Sequence, residues 1–381
     1  MNILFDGRLL LNSVSGIGYY IRNLLEKLIE IDPVNNYTVL LNNSLSNEHP
    51  FFKLKAPNLK IRILDVPEFG MKNQVLFPLK VRGKSYDIFH YPHFDLPLLS
   101  RIPSVITIHD LKYILHPDFF SGSNFAKQFY IKNIMKIALK KAHKILTVSD
   151  TTKKDIIKYF RVEPDKIKTV HLSVDSKFKK MNKTGTLKQL LEQNRVSNDY
   201  FLCIGERRPH KNLVRVIQAF EIYRNKTGVD EDLVIIGKPY SNYTEPEEYI
   251  ENNSLTEVVK IIGYVNDEEL LTYYNNCKAL VFASLYEGFG IPVLEAFACE
   301  VPVIISNIGS LPEIAAQAAL KVNPHDPQDI ADAMQKIHQD PNLRRGLIQE
   351  GINRLKKFNW QNSAAQTLAV YQEVYENASC I

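Results

Sequence analysis

Apolar and polar positions along the chain alternate between two periods. Short runs rich in β-branched residues predict strands at Asn2 to Asp6, Tyr37 to Leu41, Ile61 to Leu64 and Asp87 to His90. Others follow at Ser104 to His109, Ile145 to Ser149 and Thr169 to Val174. Between strands, helical spacing takes over: Ile17, Tyr20, Ile21, Leu24, Leu25, Leu28 and Ile29 fall on one face. The second half repeats the rhythm, with strands at Tyr200 to Gly205, Leu233 to Gly237, Val259 to Gly263, Ala279 to Phe282, Val301 to Ile305 and Leu320 to Asn323. Helices are expected from near Leu213, over Asp267 to Asn275, Ile330 to His338 and Asn342 to Lys357, and finally over Gln361 to Tyr375. Such alternation predicts parallel sheets covered on both faces. The expected fold class is α/β, with two doubly wound Rossmann-like domains facing a cleft. Polar residues from Asp175 to Thr186 read as the linker, which sets domains at 1–178 and 179–360.

The stretch 282–305, FASLYEGFGIPVLEAFACEVPVII, concentrates the chemistry. A strand runs into a turn holding Gly288, Phe289 and Gly290, and Pro292 then opens a helix. The free N–H groups and positive dipole end of that helix suit a phosphate. Glu287 in the loop and Glu295, placed in the first helical turn, would repel that phosphate. They make sense as acceptors for neutral hydroxyls, such as those of a ribose and a sugar. Near the N-terminus, Gly16 and Gly18 open another helix after a strand, a second anion cradle. A third feature is Arg207, Arg208 and Lys211 at the start of the helix near Leu213. Basic residues normally avoid that end of a helix, so something anionic should offset them. His109 ends an apolar strand, where open parallel sheets place their ligands. His90 and His93, in the sequence HYPH, are expected in a loop that lines the acceptor side.

Composition narrows the classes. A chain of 381 residues is long for one average domain, and 45% hydrophobic content suits a full core. The net charge of +5 is mild, and no nucleic-acid partner is expected. No apolar run approaches the roughly 18 residues of a spanning helix. The sequence MNILFDGRLL lacks a basic leader and does not read as a signal peptide. Cys203, Cys277, Cys299 and Cys380 show no metal-ligand spacing, which fits a reduced, cytoplasmic chain. Lysines at 127, 132, 136, 140, 141 and 144 make 124–144 a basic helical segment. It is either a solvated face or a peripheral contact with anionic lipid.

The longer pattern resembles a known family. Acid-Gly-Phe-Gly-x-Pro from Glu287, a second acid at Glu295, then Pro-Val-Ile-x-Ser and Pro312-Glu313, resembles the nucleotide-sugar signature of retaining GT-B glycosyltransferases. More narrowly it resembles glycosyltransferase family 4, which includes many mannosyl- and rhamnosyltransferases. One departure is Glu300, where the family usually has Gly. The resemblance implies that Lys211 and Arg207 hold the donor diphosphate, although His210 sits where many relatives have an arginine. It implies that Glu295 binds ribose, that Glu287 binds the donor sugar and that His109 orients it. Gly16 and Gly18 would line the site near the diphosphate and acceptor. The final helix, 361–381, would cross back onto the first domain. The leaving phosphate would take the acceptor proton, so no protein base and no metal are implied. The partners implied are a nucleotide-sugar donor, GDP-mannose first, and a glycan or lipid-linked glycan acceptor. A dTDP- or UDP-sugar donor, a GT-B epimerase or phosphorylase, a glycoside hydrolase using Glu287 and Glu295, and a nucleotide-sugar sensor are the rival readings.

Overall fold

The computed structural model describes residues 1–11, 15–46, 48–81, 86–120, 125–181, 190–197, 199–240 and 243–379. Residues 182–186 of the expected linker lie outside the described residues. The chain divides into two compact units. One comprises Met1–Pro117, Ser123–Leu172 and Asn359–Ile381; the other comprises Asp118–Gly122 and Ser173–Phe358.

The first unit holds strands β1 (Asn2–Asp6), β2 (Asn36–Leu41), β3 (Leu59–Ile63), β4 (Ile88–Tyr91), β5 (Ser104–Ile108), β6 (Lys144–Thr147) and β7 (Ile167–Thr169). They form one sheet in the order β3-β2-β1-β4-β5-β6-β7 with every pair parallel. In β1 the residues Ile3, Leu4 and Phe5 are all fully buried, as a strand covered on both faces requires. The helix Gly16–Ile31 buries Tyr20, Ile21, Leu24, Leu25, Leu28 and Ile29, the face predicted from spacing. β7 lies earlier than the expected Thr169 to Val174. The apolar run continues past it as a buried connection, with Val170 N still donating to Thr147 O at 2.8 Å.

Two features of this unit depart from expectation. The helix Met71–Val81 has no clear period because both its faces are apolar: Phe77 and Val81 are buried, while Met71, Val75 and Leu79 are 67%, 48% and 59% exposed. His90 falls in the strand expected at Asp87 to His90, but it does not line a loop on the acceptor side. It lies inside β4, fully buried, with Nδ1 bonded to the Tyr371 hydroxyl and Nε2 2.8 Å from Thr107 Oγ1. Burial pushes its ring down to about 3, so it is a neutral core residue. Tyr371 belongs to the last helix, Trp360–Ser379, which packs on this first unit. Trp360 meets Tyr19 at 6.0 Å between ring centres, and Glu373 pairs with Lys144 at 2.6 Å.

The second unit holds β8 (Tyr200–Ile204), β9 (Asp232–Ile236), β10 (Val259–Ile262), β11 (Ala279–Phe282), β12 (Val303–Ser306) and β13 (Leu320–Val322). Their order is β10-β9-β8-β11-β12-β13, again all parallel. The chain winds one way from β8 to β10 and the other way from β11 to β13. The switch point therefore lies between β8 and β11, at the carboxyl ends where doubly wound sheets bind ligands. Two glycines let the backbone close up there. A Cβ on Gly237, after β9, would sit 1.9 Å from the carbonyl oxygen of Gly205, after β8.

That contact is backbone against backbone, so no side-chain rotation relieves it. Gly237→Ala should destabilise the second unit by about 1–3 kcal/mol, the usual range for overpacking. A melting curve superimposable on that of the parent chain would refute the close approach.

Candidate active site

The loops after β8 and β11 meet at the switch point. After β8 the chain passes Gly205, forms a 3-10 turn over Pro209–Lys211, and reaches Asn212 in the left-handed conformation, φ 60°. The helix Leu213–Thr227 starts there, so Lys211 precedes the helix instead of opening it. Asn212 does not cap this helix. Its Nδ2 donates to Ala283 O at 3.0 Å and Pro324 O at 2.7 Å, tying the loop to the ends of β11 and β13. Leu285 N donates to His210 O at 2.8 Å, a second tie between the same loops.

These ties bring Lys211 to Glu287. Lys211 Nζ donates to Glu287 Oε1 at 2.7 Å, and each side chain is only 15% exposed. The ammonium also lies 4.6 Å from the centre of the Phe282 ring. Gly205 leaves room for it, since a Cβ there would be 2.8 Å from Lys211 Cε. Ser310 Oγ donates to Glu287 O at 2.8 Å and Phe289 O at 3.0 Å, which fixes the loop carrying the acid. Gly290, φ +110°, then leads into the helix Ile291–Ala298, which has no side-chain cap and no acid in its first turn. No side chain of this helix therefore occupies the end that was expected to face an anion.

Glu295 is the fifth residue of that helix, in its second turn instead of its first. It is buried, and its Oε2 accepts from the Tyr274 hydroxyl at 2.7 Å. Burial raises its carboxyl to about 7, against the lowering effect of that hydrogen bond. Tyr274 is a partner that sequence reading missed. It sits among ordinary helix residues 21 positions earlier, with no motif to mark it.

The two arginines are separately occupied. Arg207 donates from Nη1 to Gly237 O at 2.9 Å and lies 3.1 Å from Glu247. Arg208 makes a bidentate pair with Glu206 and stacks over Tyr240. A cavity of about 380 Å3 lies beside this loop, lined by Phe119, Pro209, Asn212, Arg215, Tyr243 and Leu285 among others. Lys211, Glu287 and Glu295 do not line it, so it is separate from the paired charges.

In the first unit, His109 follows β5. Its Nε2 bonds Pro92 O at 3.2 Å, and Tyr20 meets its ring edge-on at 4.9 Å. Burial lowers it to about 4, so it is neutral near pH 7. A carbonyl only accepts, so Nε2 carries the proton and Nδ1 is left as an acceptor. His93 follows β4, and its ring lies tilted against Phe69 at 4.6 Å and Phe94 at 4.2 Å between centres. At Gly16 and Gly18 the cradle is partly filled: Ser15 Oγ caps the helix by accepting from Gly18 N at 3.0 Å. The acidic triplet Asp230-Glu231-Asp232 leads into β9, which begins at Asp232. Glu231 is held by Tyr223, Lys278 and His338, and Asp232 by Ser197 N.

Comparison with known proteins now decides the family. Residues 14–178 match the family described as Glycosyltransferase Family 4, and residues 191–354 match Glycosyl transferases group 1. The chain is 30% identical over 271 residues to the O-antigen chain mannosyltransferase RfbU of Salmonella typhimurium, covering 71% of this chain and 69% of that protein. The chain belongs to the group 1, family 4 glycosyltransferases. It is also 27% identical to the O-antigen chain mannosyltransferase B of Escherichia coli, over 98% of this chain and all of that one. Among solved structures, HepE of Anabaena, in complex with UDP and glucose, has a TM-score of 0.78 at 16% identity, covering 98% of this chain and 100% of its own. Sucrose-phosphate synthase from Thermosynechococcus elongatus scores 0.76 at 19% identity, with 99% of each chain covered. These likenesses show the GT-B fold.

For this glycosyltransferase, Glu295 makes stability depend on pH in a set direction. Its carboxyl binds a proton more readily in the folded chain, at about 7, than at its ordinary 4.5. The folded state is therefore penalised progressively as pH rises from 4.5 to 7, and fully above that, by on the order of 3 kcal/mol. Glu295→Gln, which keeps the hydrogen-bonding shape, should melt at a higher temperature than the parent at pH 8 and at about the same temperature at pH 5. An equal difference at both values would refute the buried carboxyl.

Proposed function

We propose that this glycosyltransferase moves a hexose from a nucleoside diphosphate donor to an acceptor hydroxyl with retention of anomeric configuration, in bacterial glycan biosynthesis. The observation that carries it is the partly buried Lys211–Glu287 pair beside the uncapped helix end at Gly290. It offers a cation and backbone N–H groups for a diphosphate, and a carboxylate for a neutral sugar. Mannose from GDP-mannose is the first choice of donor, supported by the mannosyltransferase names of the relatives. A UDP- or dTDP-linked hexose is the second.

The roles follow the residues. Lys211 and the N-terminus after Gly288, Phe289 and Gly290 take the diphosphate, with Arg207 or Arg208 released from its own acid to assist. Glu295 takes ribose hydroxyls, and Glu287 takes sugar hydroxyls. His109, with Nδ1 an acceptor, is assigned to the sugar, and Gly16 and Gly18 to donor binding near the diphosphate and the acceptor. The bond between the anomeric carbon and the phosphate oxygen breaks, and a bond to the acceptor oxygen forms on the same face. The acceptor proton passes to the departing phosphate. The second unit is thus the nucleotide-sugar domain and the first the acceptor domain. A hydrolase working through paired carboxylates is disfavoured, because Glu287 is bonded to Lys211 and Glu295 to Tyr274.

No described helix is long and apolar enough to cross a membrane. The helix Phe125–Lys141 nevertheless exposes Phe129 and Ile137 among its lysines. That combination supports peripheral contact with anionic lipid at the cytoplasmic face, where a lipid-linked acceptor would be met.

Product analysis with a labelled sugar donor tests the reaction class: a new glycoside with the donor's anomeric configuration is expected, and release of free sugar alone would overturn it. Transfer should persist in EDTA; complete loss restored by manganese would overturn the metal-free reading. Lys211→Ala should lose at least about 100-fold in kcat/KM, the typical cost of one charged group at a developing anion. It should also lower the melting temperature, because Glu287 is left unpaired. Adding Glu287→Gln should restore the melting temperature and not the activity. Transfer by Lys211→Ala at close to the parent rate would place the diphosphate elsewhere.

A further inference from the structure

Glu295 is a buried carboxylate with one oxygen engaged. Its Oε2 accepts from Tyr274, and no described residue bonds its Oε1. A carboxylate in such a place is costly unless something meets its remaining acceptor sites. Oε1 is not among the fully enclosed atoms left without a partner, so an incoming group can reach it.

Tyr274 is built to hold the other oxygen. It lies in the helix Asp267–Asn276, is fully buried, and has the ring of Phe178 edge-on at 5.8 Å. Its single hydroxyl proton has two acceptors in reach, Glu295 Oε2 at 2.7 Å and Pro292 O at 3.3 Å. The shorter contact, to the group that can carry charge, takes it. Lys177 is the cation nearest in effect, but it is paired with Asp267 at 2.6 Å and Asp175 at 3.5 Å. Those two aspartates disfavour charge on Glu295, and Cys299 adjoins it as a buried neutral thiol. Among the described residues, Tyr274 is the hydrogen-bond donor left to favour the ionised form.

The geometry points to Tyr274 as a positioning residue for nucleotide binding: by bonding Oε2 it fixes the Glu295 carboxylate and leaves Oε1 as the acceptor for a ribose hydroxyl. This inference rests on the assignment of Glu295 to the ribose in the proposed function. Tyr274 touches no ligand itself. It acts by orientation and by keeping the proton off the carboxyl near neutral pH, where burial alone would put it on.

The test is calorimetric binding of GDP, with UDP in parallel, to the full chain between pH 6 and 8.5. The parent should bind more tightly as pH rises through about 7, beyond the nucleotide's own titration as measured with Glu295→Gln. In Tyr274→Phe the midpoint should move up, with affinity about 10-fold weaker at pH 7 and within about 3-fold of the parent at pH 8.5. Replacing Tyr274 with 3,5-difluorotyrosine, a stronger donor of the same shape, should move the midpoint down without emptying the site. A Tyr274→Phe profile parallel to the parent's, whether equal or uniformly weaker, overturns the positioning role. Glu295→Ala separates the two claims. If it leaves nucleotide affinity unchanged, the ribose assignment falls and the inference with it. If it weakens binding while the Tyr274 variants keep the parent's midpoint, only the inference falls.

Discussion

An ammonium and a carboxylate held 2.7 Å apart, each with most of its side chain out of water, organise the second unit's ligand end. Two such charges stabilise one another only at contact, because the loss of hydration is large and the attraction falls with distance. The chain therefore fixes both sides. Asn212 accepts a left-handed backbone so that its amide can reach Ala283 O and Pro324 O, which stops the Lys211 loop from drifting. Ser310 holds the Glu287 loop through two carbonyls. Gly205 has no Cβ because the lysine stem passes where one would be. Removing any of these ties leaves two costly charges without a guaranteed partner.

The two glutamates of the site show how one residue type is given two characters. Glu287 faces a cation across the switch point. Glu295, eight residues on, faces a phenol in a pocket that disfavours charge. The backbone makes this possible: Glu287 stands in the loop, and Glu295 is deep enough in the helix to point back toward the helix Asp267–Asn276. One acid is held by charge, the other by a neutral hydrogen bond.

Much of this was legible in the sequence, for identifiable reasons. Continuous apolar strands and one-faced helices announced two parallel sheets, since buried strands need β-branched residues on both faces. The glycines and Pro292 marked the helix end that Glu287 and Glu295 bracket. Contacts across long separations were not legible. Lys211 and Glu287 are 76 residues apart, and Tyr274 belongs to an unmarked helix. His90 fell in its predicted strand, but its role misled: a histidine among aromatics beside a proline looks like a ligand contact, whereas Tyr371 and Thr107 satisfy it in the core. The helix Met71–Val81 was silent because its exposed face is as apolar as its buried one. Ser15 filled part of an anion cradle that its neighbouring glycines had advertised.

Without ligand, every cation of the loop after β8 already has an acid: Arg207 has Glu247, Arg208 has Glu206, and Lys211 has Glu287. A bare cluster of three positive charges would cost stability through mutual repulsion, and it would attract any anion. Internal pairing removes both problems and sets a selective condition for binding. Phosphate alone must compete with a carboxylate for Lys211 and strands that carboxylate beside a new negative charge. A nucleotide sugar avoids this penalty, because its diphosphate takes the lysine while its neutral hydroxyls donate to Glu287. Under the proposed function, the ion pair thus favours the intact donor over inorganic phosphate by what it does to the displaced partner. Its selectivity comes from repulsion as much as from attraction.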